Sequence, residues 1–334
     1  MNSSRSYVKH IPIAALVVFL LLFPAAVSGN RYYIRVMTNA GIYTIIVIGL
    51  NLLMGYAGQI SLGHAGFFGI GAYCSGLLNV RLGLSPWAAT ILALIFTAGI
   101  AYLIGIPTLK LKGHYLAMAT LGFGEVIFVV LNKLDWLTGN PDGLPGIEPF
   151  SIWRLRFSSD FAIGQYCFAW VVALAILVLS LNITNSRVGR AFRAIHGSEI
   201  AASGMGINIA KYKVQVFVLS AVYTAAAGCL YAHFYRFIAP STFHLQTSIR
   251  LVTMVVVGGL GNIWGAILGA LLLTWLPEWL MVLKEYDIAF YGVLLMGVMI
   301  FIPGGLVGLV RRFSNLIGRV TSRSSLDRQM KEGG

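Results

Sequence analysis

Long apolar runs alternate with short polar connectors along almost the whole chain, and their lengths are those of membrane-crossing helices. Ten runs stand out: 11–28, 34–54, 60–80, 86–107, 115–133, 161–181, 214–235, 247–257, 263–283 and 288–310. A helix rises about 1.5 Å per residue, so about twenty residues cross a hydrocarbon core of about 30 Å. The eighth run covers only about half of that before Gly258-Gly259-Leu260-Gly261-Asn262 interrupts it. A segment broken at membrane depth must be buried in protein or line a polar cavity. No stretch shows the short in-out alternation of barrel strands. The pattern predicts an all-α, polytopic membrane bundle of about ten segments with interrupted helices. No repeat of 20–50 residues and no globular extramembrane part intervenes, so residues 1–334 are expected to form one transmembrane domain.

Composition agrees: 58% of the 334 residues are hydrophobic and 10% charged, with a mean hydropathy of +0.81, against about 25% charged in soluble domains. The formal net charge of +13 does not point to nucleic acid, because the basic residues sit in short connectors and a tail beside apolar runs. With both termini cytoplasmic, fifteen of the 24 lysines and arginines fall inside, in the N-terminal tail, 108–114, 182–213 and the tail 311–334. The positive-inside asymmetry therefore places those segments in the cytoplasm and the loop 134–160 outside, where Gly139 to Gly146 reads as a turn-rich surface element. The odd cysteines Cys74, Cys167 and Cys229 lie in apolar runs, so neither a disulfide framework nor a metal site is implied. Arg5, Lys9 and the run 11–27 before Ala26-Val27-Ser28 resemble a signal peptide, but the run is long for one and more spans follow. A retained first helix is expected.

Among the connectors, 182–213 carries the most chemistry. Ser186 can cap one short helix bearing Arg187, Arg190 and Arg193 at helical spacing, and Ser198 a second with Glu199 in its first turn and Gly204 or Gly206 at its end. A rigid helix along the membrane surface is something a neighbouring motor could push, and a solvated basic connector would use the same residues. No GxxxxGK[ST] phosphate loop occurs, so ATP hydrolysis in that manner belongs to a separate subunit, and the chain is expected to be neither an enzyme nor the holder of a cofactor. Between Gly55 and Gly71 lie six glycines, with Gln59, Ser61 and His64 among them. Such a stretch either unwinds and lines a cavity or crosses a neighbour closely. Gly265 and Gly269 read as a packing pair. Glu125 lies about 15 Å into its segment, near the bilayer midplane, where a carboxylate is costly and suggests function.

Several of these stretches share a resemblance. Glu199-Ile200-Ala201-Ala202 with Gly206, Gly189-Arg190-Ala191 and Tyr212-Lys213 resembles the coupling loop of ABC importer permeases. Leu50-Asn51-Leu52 through Gly55 to Ala65, Leu111 to Ala117 through Thr120 to Glu125, and Gly258 to Asn262 match the same group. Together, from about residue 34 to 308, they resemble the branched-chain amino acid ABC transporter permeases of the LivM type. The resemblance implies a permease subunit of an ATP-driven importer in the bacterial inner membrane. A homologous LivH-type permease, two ABC ATPase subunits and a soluble substrate-binding protein would be its partners, with membrane lipid around it. Arg190, Arg193, Ser198, Glu199, Ala201, Ala202 and Gly206 would then couple to the ATPase, and Gln59, Ser61, His64, Glu125 and Asn262 would line the pathway. Helix ends at the two glycine-rich breaks could face the charges of a zwitterion. Two departures from the family are visible: Phe128 stands where an arginine usually follows the glutamate, and His114 where an acidic residue is common. Urea and short-chain amide permeases are similar and remain the alternative substrate class. A proton-coupled secondary transporter using Glu125 is the alternative of another kind, disfavoured by the coupling loop and by the lack of a second deep carboxylate.

Overall fold

The computed structural model describes residues 4–27, 30–133, 143–152, 155–156 and 162–279, with five isolated positions between 292 and 308. Apart from those five positions the tenth predicted run lies outside the described residues, as do the tail 311–334, Glu285 and Asp287. Nine of the predicted runs are helical: α1 (Ser4–Ala26), α2 (Arg31–Asn51), α3 (His64–Leu82), α4 (Pro86–Thr108), α5 (His114–Lys133), α6 (Ala162–Asn185), α9 (Ile209–Tyr235), α10 (Leu245–Gly258) and α11 (Ile263–Trp279). Two short helices, α7 (Arg187–Gly197) and α8 (Glu199–Gly204), join α6 to α9. Among the described residues, five segments are long and apolar enough to cross a bilayer: α2 with its extension to Tyr56, α4, α5, α6 and α9. Both short helices start where side-chain oxygens replace missing carbonyl partners: Ser186 accepts from the Val188 amide and Ser198 from that of Ala201.

The 27-residue α9 is the axis of the molecule, packed against α2, α3 and α4. At about 1.5 Å per residue it is about 40 Å long. Its two ends define two poles. Near the start, Lys213 pairs with Glu199 and, through it, with the α4–α5 connector. Near the other end, the His233 Nδ1 lies 2.6 Å from the carbonyl of Glu148 and its Nε2 lies 2.8 Å from Ser75 Oγ. The connectors 109–113 and 186–208 thus share one pole and residues 143–150 occupy the opposite one.

Helices approach closely where side chains vanish. A Cβ on Gly228 of α9 would stand 2.3 Å from the Phe68 carbonyl of α3, so only glycine allows that crossing. Gly258 of α10 and Gly269 of α11 bring those helices together in the same way: a Cβ on Gly258 would stand 2.1 Å from the Gly265 carbonyl and one on Gly269 2.0 Å from the Met254 carbonyl. Side-chain donors tie further helices together: Trp170 Nε1 donates to the Met37 carbonyl, joining α6 to α2, and the Tyr166 hydroxyl donates to that of Leu20, joining α6 to α1. At the far pole the Tyr32 hydroxyl of α2 donates to Glu278 of α11.

The described part of the connector 134–160 keeps its turns, with Gly143 and Gly146 at positive φ and Pro145 and Gly146 exposed, but residues 143–150 also fold back onto the bundle. Leu144–Pro145 pairs antiparallel with Phe237–Ile238, and a second two-residue pair forms between Ser151–Ile152 and Leu155–Arg156. Phe150 is buried among Trp87, Phe168, His233 and Phe234. Apolar Leu144, Ile147 and Phe150, spaced three apart, supply the burial that the turn residues obscure.

Candidate functional site

The two breaks predicted from glycine content lie against each other. After Asn51 the helix widens into a π-turn, Leu52–Tyr56, and residues 57–63 run without regular structure until α3 begins at His64. The second break, between α10 and α11, spans 259–262. Asn51 joins them: its Nδ2 donates to the carbonyl of Asn262 at 2.7 Å and, more weakly, to that of Gly259 at 3.4 Å, while its Oδ1 accepts from the Gly261 amide at 2.9 Å. A Cβ on Gly55 would fall 2.1 Å from the Gly261 nitrogen, so the contact requires glycine. Asn51, fully buried in an apolar helix, is what sequence reasoning passed over as a site; its signal was an amide side chain in an otherwise apolar span, which must be satisfied by buried backbone.

Gln59, Ser61 and His64 are all buried. Gln59 Nε2 donates to the Ala57 carbonyl. His64 lies between Ser61 Oγ, 3.1 Å from Nδ1, and Ser220 Oγ of α9, 2.7 Å from Nε2. Ser220 is seven residues along α9 from Lys213, about 10 Å deeper. The amide of Leu62 donates to Thr120 Oγ1 of α5 and that of Ala65 to Ser248 Oγ of α10. The unwound stretch and the start of α3 therefore meet side chains from three helices, and two of their amides are satisfied by those side chains. Asn262 caps α11, accepting from the amides of Trp264 and Gly265.

Glu125 is half-buried, without a hydrogen-bond or ion-pair partner among the described residues. It borders an exposed stripe on α5 formed by Tyr115, Met118, Gly122, Val126 and Val129, one turn from Gly122 and Val129. The opposite side of α5 touches the end of the unwound stretch and the start of α3, where Gly124 stands against Gly63 and Gly66.

The connector helices form the other half of the site. Glu199 is gripped by Lys213 at 2.5 Å and by Lys112 at 3.5 Å. Partial burial alone would raise its pKa, but the hydrogen bond and charge of Lys213, with those of Lys112, outweigh this and hold the carboxyl below its usual range. Ala202 is buried, whereas Ser198, Ala201 and Gly206 are exposed, Gly206 with φ +80°. Arg190 and Arg193 are also exposed, on the outer side of α7. The most prominent side chains of α8 and its end are apolar: Ile200 is 85% exposed and Met205 80%. Two large apolar residues standing out from a polar connector were a readable signal that charge-based reasoning overlooked.

At the end of α7, His196 Nδ1 lies 2.9 Å from the Gly55 carbonyl inside the π-turn. A carbonyl only accepts, so Nδ1 donates. The imidazole also packs on Gly58, whose φ is +69°. One polar connector thus reaches the break directly, and through Asn51 the second break.

A helical membrane bundle with two apposed broken helices and a rigid connector keyed into one of them is the architecture of a transport protein's membrane subunit. The chain belongs to the family described as branched-chain amino acid transport system / permease component, whose model matches residues 32–303. It is 35% identical over 320 residues to the high-affinity branched-chain amino acid transport system permease protein LivM of Salmonella typhimurium, covering 90% of this chain and 75% of that one. It is 28% identical over 263 residues to LivH of Escherichia coli K12, covering 72% and 84%. It is 26% identical over 303 residues to the autoinducer 2 import system permease protein LsrC of Yersinia pseudotuberculosis, covering 86% and 83%. No solved structure matches the chain.

Proposed function

We propose that this chain is the LivM-type permease subunit of an ATP-driven importer of branched-chain or related amino acids in a bacterial inner membrane. Its partners in this reading are a LivH-type permease, two ATPase subunits at the Glu199 pole and a soluble binding protein at the other. The observation that carries the reading is the contact of His196 with the Gly55 carbonyl. It gives a motor pressing on α7 and α8 a direct grip on the broken helix. Lys213 and Lys112 hold α8 through Glu199, Ile200 and Met205 offer the motor an apolar foothold, and movement of α7 pulls on a π-turn rather than on a full helix. Because Asn51 joins the two breaks, that displacement is shared by α10 and α11.

The α5 stripe supports the second permease. A carboxylate facing lipid is costly, so the face bordering Glu125 belongs against protein or a polar pathway, the place for the partner. The substrate class is inferred from the greater similarity to LivM than to LsrC. The test is affinity purification of the tagged chain, co-expressed with its partners, with Ile200→Asp and Met205→Asp combined. The ATPase is expected to fall at least ten-fold in the eluate, because an apolar anchor is replaced by two desolvated charges, while the permease partner is retained. Wild-type ATPase recovery would refute the docking role.

A further inference from the structure

A groove of about 1070 Å³ opens between the last turns of α4 and the first turns of α9, with basic residues at one end and apolar walls along the rest. Lys110, Lys112 and Lys211 line its polar end with the buried Lys213, and Glu199 is the one acidic lining residue among the described residues. Glu199 is already paired with Lys213 and Lys112, and neither Lys110 nor Lys211 has a carboxylate within ion-pair distance among the described residues. The mouth therefore carries a surplus of three positive charges. From it, Tyr102 and Ile106 of α4 face Val214, Val218 and Val222 of α9, a row one turn apart that extends about 12 Å from Val214 to Val222. Tyr102 is 54% exposed, so the groove opens sideways. These walls belong to two of the segments long and apolar enough to span a bilayer.

We propose that the groove is a binding site for an anionic phospholipid. Its phosphate would lie among Lys110, Lys112 and Lys211 and its acyl chain along the valine row. A soluble anion would leave the apolar walls empty, and a soluble peptide would not reach into the span. A lipid satisfies both ends of the groove at once, and clustered lysines at the membrane surface favour anionic over zwitterionic headgroups. A lipid seated there would also bridge the α4–α5 connector to the start of α9, the same two elements that Glu199 holds together. Lipid would in this way brace the connector carrying α8.

The test uses native mass spectrometry of the full chain purified with its permease and ATPase partners. Phosphatidylglycerol is compared with phosphatidylcholine of identical acyl chains. The expected result is about ten-fold greater retention of phosphatidylglycerol, lost in Lys110→Gln combined with Lys211→Gln and unchanged in Lys133→Gln at the opposite pole. Val218→Trp, which fills the groove and leaves every charge in place, is expected to lower retention at least five-fold. Millimolar inorganic phosphate is expected to leave the lipid bound. Equal retention of the two lipids, an undiminished preference in the double lysine variant, full retention in Val218→Trp, or displacement by phosphate would each overturn the proposal, the last by showing an ion site only.

Discussion

Glu199 illustrates how a residue chosen for its charge acts through its own chain. Its carboxylate is held by Lys213, whose side chain is 3% exposed, so the pair fixes the start of α8 to the start of α9. Glu199→Gln leaves that ammonium buried beside a neutral amide, at a cost of about 2 kcal/mol, or about 30-fold faster amide exchange through 201–206. Adding Lys213→Met removes the stranded charge and is expected to recover most of the protection. The sign with pH follows from the depressed carboxyl: the contribution is complete above the ordinary carboxylate pKa and is lost as pH falls through the lower folded value. Exchange that is unaffected by the single variant, or that quickens as pH rises from neutral once intrinsic rates are removed, would refute the pairing. None of this was legible from residue type, because Lys112 is 87 positions from Glu199 and nothing local announces the contact. His64 was legible as a residue of interest, but only the fold supplies Ser220 as its second partner.

Among the elements, those with local causes were the readable ones. The caps Ser186 and Ser198 mark α7 and α8 because capping chemistry is confined to three or four residues. The second break was visible as three glycines and an asparagine within five residues. The π-turn was hidden, since Leu52-Leu53-Met54 continues the apolar pattern without interruption. The packing of 143–150 was hidden for another reason: its strand partner, Phe237–Ile238, lies about ninety residues on. At this scale the joint between α7 and the π-turn is the critical one. His196→Ala is expected to leave the complex assembled but reduce transport per ATP hydrolysed at least five-fold, and His196→Gln, which keeps a donor, to restore most of it. Wild-type stoichiometry in His196→Ala would remove the joint from the mechanism.

The whole molecule has two poles that the sequence anticipated through its basic residues and the structure separates along α9. Their assignment to compartments is open to direct labelling. In a background lacking Cys74, Cys167 and Cys229, Arg187→Cys is expected to react with a membrane-impermeant maleimide only from the cytoplasmic side, and Pro145→Cys only from the opposite side. Both sites reacting from one face would contradict the topology.

In the proposed mechanism ATP, acting through the α7–α8 connector, drives uptake through this chain. The most direct measurement is accumulation of labelled leucine by vesicles reconstituted with the full transporter, with its binding protein outside, with or without ATP inside, and with or without an uncoupler. Accumulation is expected to require ATP and the binding protein, to be insensitive to the uncoupler, and to persist in Glu125→Gln. Accumulation without ATP that collapses with the uncoupler and disappears in Glu125→Gln would contradict that mechanism and make the chain a proton-coupled transporter.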